Sequence, residues 1–293
     1  MSAAAPVTPT PPARFNRRRY TRWLIQIVVL ALAIVWLAPF WSPLITPLKT
    51  TPEYFATSPW ALPRNPANFF DNLQTAWQTA GLGSGFLASL SYGVVGASMA
   101  IIFASLGAFA IVRLRVRAPF FWFILVFSGT IVPFQMYLIP LFQTYNSVGL
   151  YDTWIGMALF YTAIAIPFCL FVIRGAFSTI SREILEAARL DGCRDVDVYW
   201  RVCMPLARGS IAVLFLFQFT WIWNDLIFGL VLSTSDGVRP VMPTLAGMQG
   251  LYATQGPPIV LAAALIASLP TIVLFLLLRN YMIRGLTLTA GAE

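Results

Sequence analysis

Apolar residues dominate six long stretches of the chain, and polar residues collect in the segments between them. Each stretch is long enough to cross the roughly 30 Å of hydrocarbon in a bilayer as an α-helix, which rises about 1.5 Å per residue. The stretches cover residues 23–45, 84–112, 119–142, 154–174, 210–232 and 258–279. This pattern predicts an all-α polytopic membrane protein with six transmembrane helices.

The first 22 residues differ in composition from the rest of the chain. Residues 1–13 carry no charge and are rich in proline and alanine, and the arginines begin at Arg14. Such a segment cannot bury enough apolar surface to fold alone. We therefore expect a disordered basic tail over residues 1–22 and a transmembrane domain over residues 23–293. The first apolar stretch is too long for a secretory signal and lacks its small-residue cleavage site, so we expect it to be retained.

Basic residues are distributed unevenly around the predicted spans. Of the 19 arginines and lysines, all but Lys49, Arg64 and Arg239 lie in the N-terminal tail, in residues 113–117, in residues 174–208 or after residue 278. Arginine and lysine accumulate in the cytoplasmic loops of membrane proteins. Both termini and the loop over residues 175–209 are therefore predicted to face the cytoplasm.

The spans contain one regularly spaced row of small residues and several prolines. Gly96, Ala100, Ala104 and Ala108 recur every four residues, so they share one helical face and favour close packing against another span. Proline frees backbone carbonyls and permits kinks, as in helices that line a pathway, although it is also common in ordinary spans. The prolines in question are Pro133, Pro140, Pro167 and Pro270.

The composition removes several classes of function. The chain is 58% hydrophobic and contains no histidine, so a histidine-based zinc or hydrolytic site is not expected. The three cysteines have neither metal nor disulfide spacing. No glycine precedes the single lysine, Lys49, so a phosphate-binding loop is missing and another chain would have to hydrolyse any ATP. The basic residues flank the spans instead of forming a soluble patch, and no nucleic-acid partner is predicted.

One segment, from Ser181 to Ser210, concentrates the charge of this apolar chain. Its first part predicts a short helix from about Arg182 to Asp191, with the Ser181 hydroxyl as a cap and Glu183 favourably placed in the first turn. Gly192 accepts the left-handed geometry of a helix end. This helix is too short to be stable alone in water, so it needs a partner or the membrane domain.

The predicted helix has a modest apolar face and two charge pairs. Ile184, Ala187 and Ala188, with Leu185 beside them, form the face. Glu186 is spaced to pair with Arg182 or Arg189. A small, flat face of this kind suits a groove on another protein, or the helix lies on lipid head groups as an amphipathic loop. The residues alone leave both interpretations open.

A second candidate site lies inside the predicted fifth span. Asp225 is the one acid that the pattern places within a span, and its neighbours are Trp221, Trp223 and Asn224. Ionisable residues are costly in a membrane and often functional. Aromatic faces and amide or carboxylate groups suit sugars, so the four residues are candidates for a sugar pathway. Alternatively, the tryptophans form an interfacial belt and Asp225 pairs with an arginine or the backbone.

The charged segment carries a family motif. It is similar to the EAA loop, EAA-x-x-DG followed by an aromatic residue and a proline, of permease subunits of binding-protein-dependent ABC importers, specifically the carbohydrate (maltose-type) branch. Residues 133–156, 219–232 and 267–291 also resemble that branch. Gly209, Cys193 and Arg279 depart from its common residues. The motif is matched by Glu186, Ala187, Ala188, Asp191, Gly192, Tyr199 and Pro205.

The resemblance implies a type I importer permease fold and a set of partners. In the family, the EAA loop is a coupling helix that docks into a separate ATP-binding subunit. The expected partners are a second permease, two ATP-binding subunits, an extracytoplasmic solute-binding protein and membrane lipid, in the plasma membrane of a prokaryote. No cofactor is expected in this chain, because ATP and Mg²⁺ belong to the ATP-binding subunits. The implied contact residues are Glu186, Ala187, Ala188, Arg189, Asp191 and Gly192.

The resemblance leaves the cargo open. A sugar or oligosaccharide is the first expectation, and glycerol 3-phosphate or its diesters, which the same branch imports, are the second. An ATP-independent secondary transporter is a further alternative, although the sequence shows neither an internal repeat nor a relay of ionisable groups. A membrane-embedded enzyme is disfavoured by the missing histidine and by the lack of clustered catalytic acids.

Overall fold

The chain folds as a helical bundle. The computed structural model describes residues 17–79, 81–249 and 255–290, and regular structure in these ranges is helical. The first helix begins at Arg17, inside the segment expected to be a tail, and the preceding residues lie outside the described ranges. The α-helices are α1 (Arg17–Ile45), α2 (Thr51–Ala56), α3 (Asn68–Gln74), α4 (Leu82–Arg113), α5 (Pro119–Phe127), α6 (Leu138–Val148), α7 (Trp154–Ser178), α8 (Arg182–Leu190), α9 (Asp195–Val198), α10 (Met204–Leu206), α11 (Arg208–Trp223), α12 (Ile227–Leu232), α13 (Val241–Gly247) and α14 (Pro257–Ala290).

Four of these helices are long and apolar enough to cross a membrane by themselves, namely α1, α4, α7 and α14. Two bent pairs of helical segments raise the number to six when each pair counts as one span. One pair joins residues 119–130 to residues 134–148 at an angle of 84°. The other joins residues 195–206 to residues 208–223 at an angle of 74°. The structure therefore has four to six candidate spans by length and composition, and the predicted number of six is reached only if each bent pair is one span. The second pair covers residues 195–223 and overlaps the predicted fifth span, residues 210–232, only in part.

The third predicted span is not one continuous helix. Its first half ends in a short 3-10 turn at Ser128–Thr130, and Pro133, with a φ of −55° and a ψ of 121°, is not helical before the chain turns helical again. Proline cannot donate a backbone hydrogen bond and disfavours a helical residue before it, which explains the break. Pro167 and Pro270, in contrast, lie inside the continuous helices α7 and α14.

The predicted fifth span, residues 210–232, is also wrong as a single helix. Helix α11 ends at Trp223, and α12 begins only at Ile227. The apolar pattern continues through both helices, so hydrophobicity alone did not reveal the break. Asn224 and Asp225 lie in it, and their short polar side chains bond to nearby backbone groups and thereby compete with helical hydrogen bonds.

Helices α4 and α7 pack at the centre of the bundle, as the stripe of small residues predicts. Ala100, Ala104 and Ala108 are at most 1% exposed. A β-carbon added at Gly96 would lie 3.0 Å from the Ile222 side chain and 3.1 Å from that of Tyr161. The stripe therefore allows α4 to approach α7 and α11 closely.

The two ends of the bundle carry different elements. Helices α4 and α7 both run toward α8, and we call this the α8 end. The opposite end carries α2, α3 and α13. Helices α2 and α3 lie between α1 and α4, and α13 lies between α12 and α14. There the Lys49 side chain is fully buried, and its ammonium donates to the Thr57 hydroxyl and to the Ser58 carbonyl.

At the opposite end, Asp152 joins two connecting segments. Its carboxylate accepts hydrogen bonds from the backbone amides and hydroxyls of Thr234 and Ser235, and its own amide donates to the Leu232 carbonyl. Burial raises the pKa of the Asp152 carboxyl, but the hydrogen bonds from Ser235 and Thr234 outweigh it and lower the pKa to about 2. The residue has a φ of 54°, a conformation that Asp and Asn tolerate better than most residues.

We expect Asp152→Asn to lower the free energy of unfolding by about 2 kcal/mol, because hydrogen bonds to a charged acceptor are lost while the backbone conformation is tolerated. Because the folded pKa lies below the ordinary 3.8, the contribution is complete above pH ~4 and is lost as the pH falls toward ~2. Chemical unfolding in detergent micelles at several pH values measures both effects. The exposed neighbour variant Asp236→Asn is the control, and an equal loss in both variants would contradict the assignment.

Candidate functional site

The segment around α8 ends in a defined cap. Gly192 has a φ of 83°, and its amide donates to the Arg189 carbonyl at 3.0 Å. The amide of Cys193 donates to the Ala188 carbonyl at 3.0 Å. These two bonds and the left-handed residue form a Schellman motif, which closes the helix and redirects the chain. The predicted role of Gly192 as a helix end is confirmed, and the helix itself ends at Leu190, with Asp191 as its cap.

The start of α8 differs from the prediction in one respect. Ser181 is the residue before the helix, but its side chain makes no capping bond to a backbone amide. Its hydroxyl instead lies near the carboxylate of Glu183. The backbone amide of Glu183 and the Ser181 hydroxyl together lower the pKa of that carboxyl. An ionised Glu183 in the first turn still interacts favourably with the helix dipole.

The apolar side chains of α8 divide between two faces. Leu185 is buried, and Ala188 packs beside it against the core at the α8 end. Ile184, Ala187 and Leu190 are exposed, and Leu190 is 89% exposed. We call these three exposed residues the α8 stripe. The predicted single face was wrong because Ala188 lies on the buried side, so the exposed surface runs through Leu190 instead.

The charged side chains on α8 are accessible. Glu186 and Asp191 are exposed, and Arg189 pairs with Asp195 at 3.0 Å. The expected pairs of Glu186 with Arg182 and Arg189 are not formed, because Arg189 reaches toward α9. Exposed ion pairs contribute little to stability. The Glu186 carboxylate therefore remains available to a partner protein, and it lies beside the α8 stripe.

Sequence reasoning gave too little weight to three residues near α8. Arg113 was used only as a topology signal, Tyr199 only as the aromatic residue of the motif, and Ser105 not at all. In the structure the Arg113 guanidinium bonds to the carbonyls of Phe177 and Ile180, and the hydroxyls of Ser105 and Tyr199 lie 2.7 Å apart. A basic residue directly after a predicted span was the available signal for Arg113.

The four residues of the second candidate site do not share one environment. Trp223 is buried, and its indole N–H donates to the Ala267 carbonyl of α14 at 2.9 Å. Asn224 is exposed and donates to Thr220 one turn earlier. Asp225 accepts from the Tyr161 hydroxyl at 2.9 Å and from the Gly229 amide at 3.0 Å. Asp225 is therefore partnered by the backbone, as the structural alternative has it, and also by Tyr161. The buried Trp223 does not lie in an interfacial belt.

Trp221 is the member of the group that lines an open cleft. The cleft has a volume of about 370 Å³ and lies beside the break in the third span. Phe134 meets the Trp221 ring edge to face, with centroids 6.2 Å apart. Gln218 and Tyr137 contribute polar groups to the same lining. A second cleft of about 420 Å³ adjoins it and shares Gly129, Tyr137 and Ile164.

Comparison with known proteins places this geometry in a family. Residues 96–284 match the family described as "Binding-protein-dependent transport system inner membrane component". The melibiose/raffinose/stachyose import permease protein MelC of Bacillus subtilis is 32% identical over 267 residues, which cover 90% of this chain and 95% of MelC. The osmoprotective compounds uptake permease protein GgtD of Synechocystis sp. is 28% identical over 268 residues, which cover 89% of each chain.

A solved structure has the same fold. A chain in the crystal structure of a bacterial ABC transporter involved in the import of the acidic polysaccharide alginate aligns with a TM-score of 0.75. The alignment covers 93% of this chain and 100% of that chain, with 21% identity. The expected type I importer permease fold is thereby confirmed.

We expect Asp225→Ala to lower the free energy of unfolding by about 2 kcal/mol and Tyr161→Phe by about 1 kcal/mol, because both remove buried hydrogen bonds at the α11–α12 break. The double variant should lose less than the sum, since the two residues bond each other. Chemical unfolding in detergent measures all three. Asn224→Ala, at an exposed position in the same break, should change the value by less than about 0.5 kcal/mol. Additive losses would contradict the pairing.

Proposed function

Because the chain belongs to the family of inner membrane components of binding-protein-dependent transport systems, we propose that it forms one half of the membrane pore of an ABC importer and is driven by separate ATP-binding subunits. The permease assignment follows from the family and from the fold. The drive by ATP is supported by the α8 stripe. ATP and Mg²⁺ would be held in the partner subunits, since the sequence offers no phosphate-binding loop.

The α8 stripe is the surface proposed to contact an ATP-binding subunit. An amphipathic helix commonly docks by laying its apolar residues into a groove on a partner. Ile184, Ala187 and Leu190 are exposed at a spacing of three residues, and Glu186 is accessible beside them. Nothing among the described residues of this chain covers Leu190, which is 89% exposed. The Schellman cap at Gly192 lets the chain leave such a groove without clashing with it.

The orientation follows from the charge distribution. The α8 end carries the arginines of residues 113–117 and 174–208, so the positive-inside rule places it, with both termini, in the cytoplasm. The opposite end, with α2, α3 and α13, then faces outward. We propose that this end receives the solute-binding protein, which the family description implies.

A second permease would complete the pore. In this chain the apolar side chains of α1 from Trp23 to Leu44 remain largely exposed, and Trp36 is 77% exposed. The two clefts at the broken third span are open rather than enclosed. Lipid and a related permease subunit together would cover these surfaces, and the clefts would become part of a shared pathway.

The cargo proposed is a neutral sugar or oligosaccharide. MelC is named for the import of such oligosaccharides. Phe134 and Trp221 offer aromatic faces, and Tyr137 and Gln218 offer hydrogen-bonding groups to hydroxyls. Among the described residues that line the two clefts, none is charged. This lining disfavours glycerol 3-phosphate and its diesters, which remain the second candidates. The family membership disfavours an ATP-independent secondary transporter.

We expect Ala187→Trp and Glu186→Lys to abolish co-purification of the ATP-binding subunit with the affinity-tagged full-length chain. A bulky ring on the exposed stripe blocks docking, and the charge reversal replaces the accessible carboxylate beside the stripe with an ammonium. Neither change should affect folding, because both positions are exposed.

Arg115→Glu, a charge reversal at an exposed position of the α4–α5 connection, is the matched control and should retain the subunit. The proposal fails if the wild-type chain retains no ATP-binding subunit, or if both α8 variants retain it as well as the control does.

We expect Trp221→Ala to lower uptake by about twofold to tenfold, because an aromatic contact of about 0.5–1.5 kcal/mol with the passing sugar is lost. Uptake of radiolabelled melibiose, raffinose and maltose by cells that carry all subunits is the measurement. Asn224→Ala serves as the control, since Asn224 lies three residues away and outside the cleft lining. Unchanged uptake of a transported sugar in Trp221→Ala would remove this residue from the pathway.

A further inference from the structure

Three residues on one face of α4 hold the segment that contains α8. Ser105, Phe109 and Arg113 are spaced four residues apart, so they form a stripe about 12 Å long on the helix. All three contact residues that flank α8 in sequence. Together they define a structure that we call the α4 clasp.

The first contact of the clasp lies before α8. The Arg113 guanidinium donates to the carbonyls of Phe177 and Ile180, at 2.8 Å for Ile180. Helix α7 ends at Ser178, so these carbonyls belong to the end of α7 and to the connection that leads into α8. The last carbonyls of a helix have no partner within it, and an arginine is a favourable donor there. Phe177 and Ile180 are buried, which fixes the start of the segment.

The second contact lies after α8. Ser105 donates its single hydroxyl hydrogen to the Ile102 carbonyl at 2.9 Å, so the Tyr199 hydroxyl must be the donor in the 2.7 Å bond between Tyr199 and Ser105. Ser105 and Tyr199 are at most 2% exposed. The Tyr199 ring also meets Phe109 edge to face, with centroids 5.4 Å apart. The exit of the segment is therefore fixed to α4 by one hydrogen bond and one ring contact.

Between these two anchors, α8 itself contributes little to the core. Leu185 is its buried residue, and its other side chains are exposed or half-buried. A force applied to the α8 stripe would therefore be transmitted to the helical bundle through the two ends of the segment. Both ends are bonded to α4, which packs along most of α7 and against α11 in the centre of the bundle.

We propose that the α4 clasp couples the movement of α4 to that of α8. The α8 segment and the half of α4 nearest to it then move as one body when ATP-binding subunits close. This inference rests on the proposed function. Arg113, Ser105 and Tyr199 act in it as positioning residues, because none of them lies on the exposed stripe. The general condition for such transmission is a pair of packed elements joined by contacts that persist through the change.

The test measures distances between spin labels in the transporter assembled with its ATP-binding subunits in lipid nanodiscs. Cys169, Cys193 and Cys203 are replaced by alanine, and the background is checked for retention of the ATP-binding subunits. Labels at the exposed positions Met99 on α4 and Val196 on α9 report the clasp. Labels at Val196 and Leu276 on α14 report movement of the α8 segment within the bundle. ATP with vanadate is the probe that traps the closed state.

With the clasp intact, trapping should leave the Met99–Val196 distance unchanged and shift the Val196–Leu276 distance. In Tyr199→Phe and in Ser105→Ala, which each remove the hydrogen bond from one side, the Met99–Val196 distance should shift on trapping. Arg113→Lys should have the same effect, because the lysine ammonium ends one bond short of the guanidinium nitrogen that donates to both carbonyls. Tyr145→Phe is the matched control, since it loses a buried hydroxyl bond of 3.0 Å to the Gly156 carbonyl at the opposite end.

The outcomes separate this inference from the proposed function. A chain that retains no ATP-binding subunit contradicts both. A chain that retains the subunits but shows a shifted Met99–Val196 distance with the clasp intact contradicts the clasp alone. The clasp is likewise contradicted if trapping changes neither distance, or if Tyr199→Phe, Ser105→Ala and Arg113→Lys all behave like Tyr145→Phe.

Discussion

The structure depends on one constraint, which is that backbone groups left free where a helix stops, within or at the edge of the apolar bundle, must find partners within the protein. Two broken spans and the end of α7 show how this chain meets it. At the break after α11, Asp225 accepts the Gly229 amide and Asn224 donates to the Thr220 carbonyl. At the end of α7, the Arg113 guanidinium donates hydrogen bonds to two carbonyls. In the broken third span, the Tyr137 hydroxyl donates to the Gly129 carbonyl at 3.3 Å. Polar side chains therefore satisfy backbone groups where these helices stop.

These helix breaks, whose backbone groups are hydrogen-bonded, account for the two clefts and for the exposed position of α8. A continuous third span would fill the space that the two clefts occupy, and the 84° bend leaves it open beside Trp221 and Phe134. The end of α7 at Ser178 likewise releases the chain to form α8 outside the core. The pathway proposed for the cargo and the surface proposed for the ATP-binding subunit thus both arise from interruptions of a simple helical bundle. The small-residue stripe of α4 holds the uninterrupted helices together between them.

Much of this architecture was accessible from the sequence, because span length, positive charge and small-residue spacing are local signals. The helix predicted from about Arg182 to Asp191 is present over residues 182–190, and Gly192 is left-handed as predicted, although the Ser181 side chain makes no capping bond. The break after Trp223 was not predicted, because the residues on both sides of Asn224 and Asp225 are apolar and the decisive bond, from Tyr161 to Asp225, joins residues far apart in sequence. The assignment of Trp223 to a pathway was unsupported for the same reason, since its partner Ala267 lies on another span. Ala188 was misplaced because a nine-residue helix has too few apolar residues to define which face is buried.

The central claim is that the α8 stripe is covered by an ATP-hydrolysing partner in the working transporter. A structure of the assembled complex by electron cryomicroscopy tests it most directly. We expect Ile184, Ala187 and Leu190 to lie buried in a groove of an ATP-binding subunit, with Gly192 at the edge where the chain leaves. A complex in which these three side chains remain exposed to solvent or rest on lipid head groups would contradict the claim.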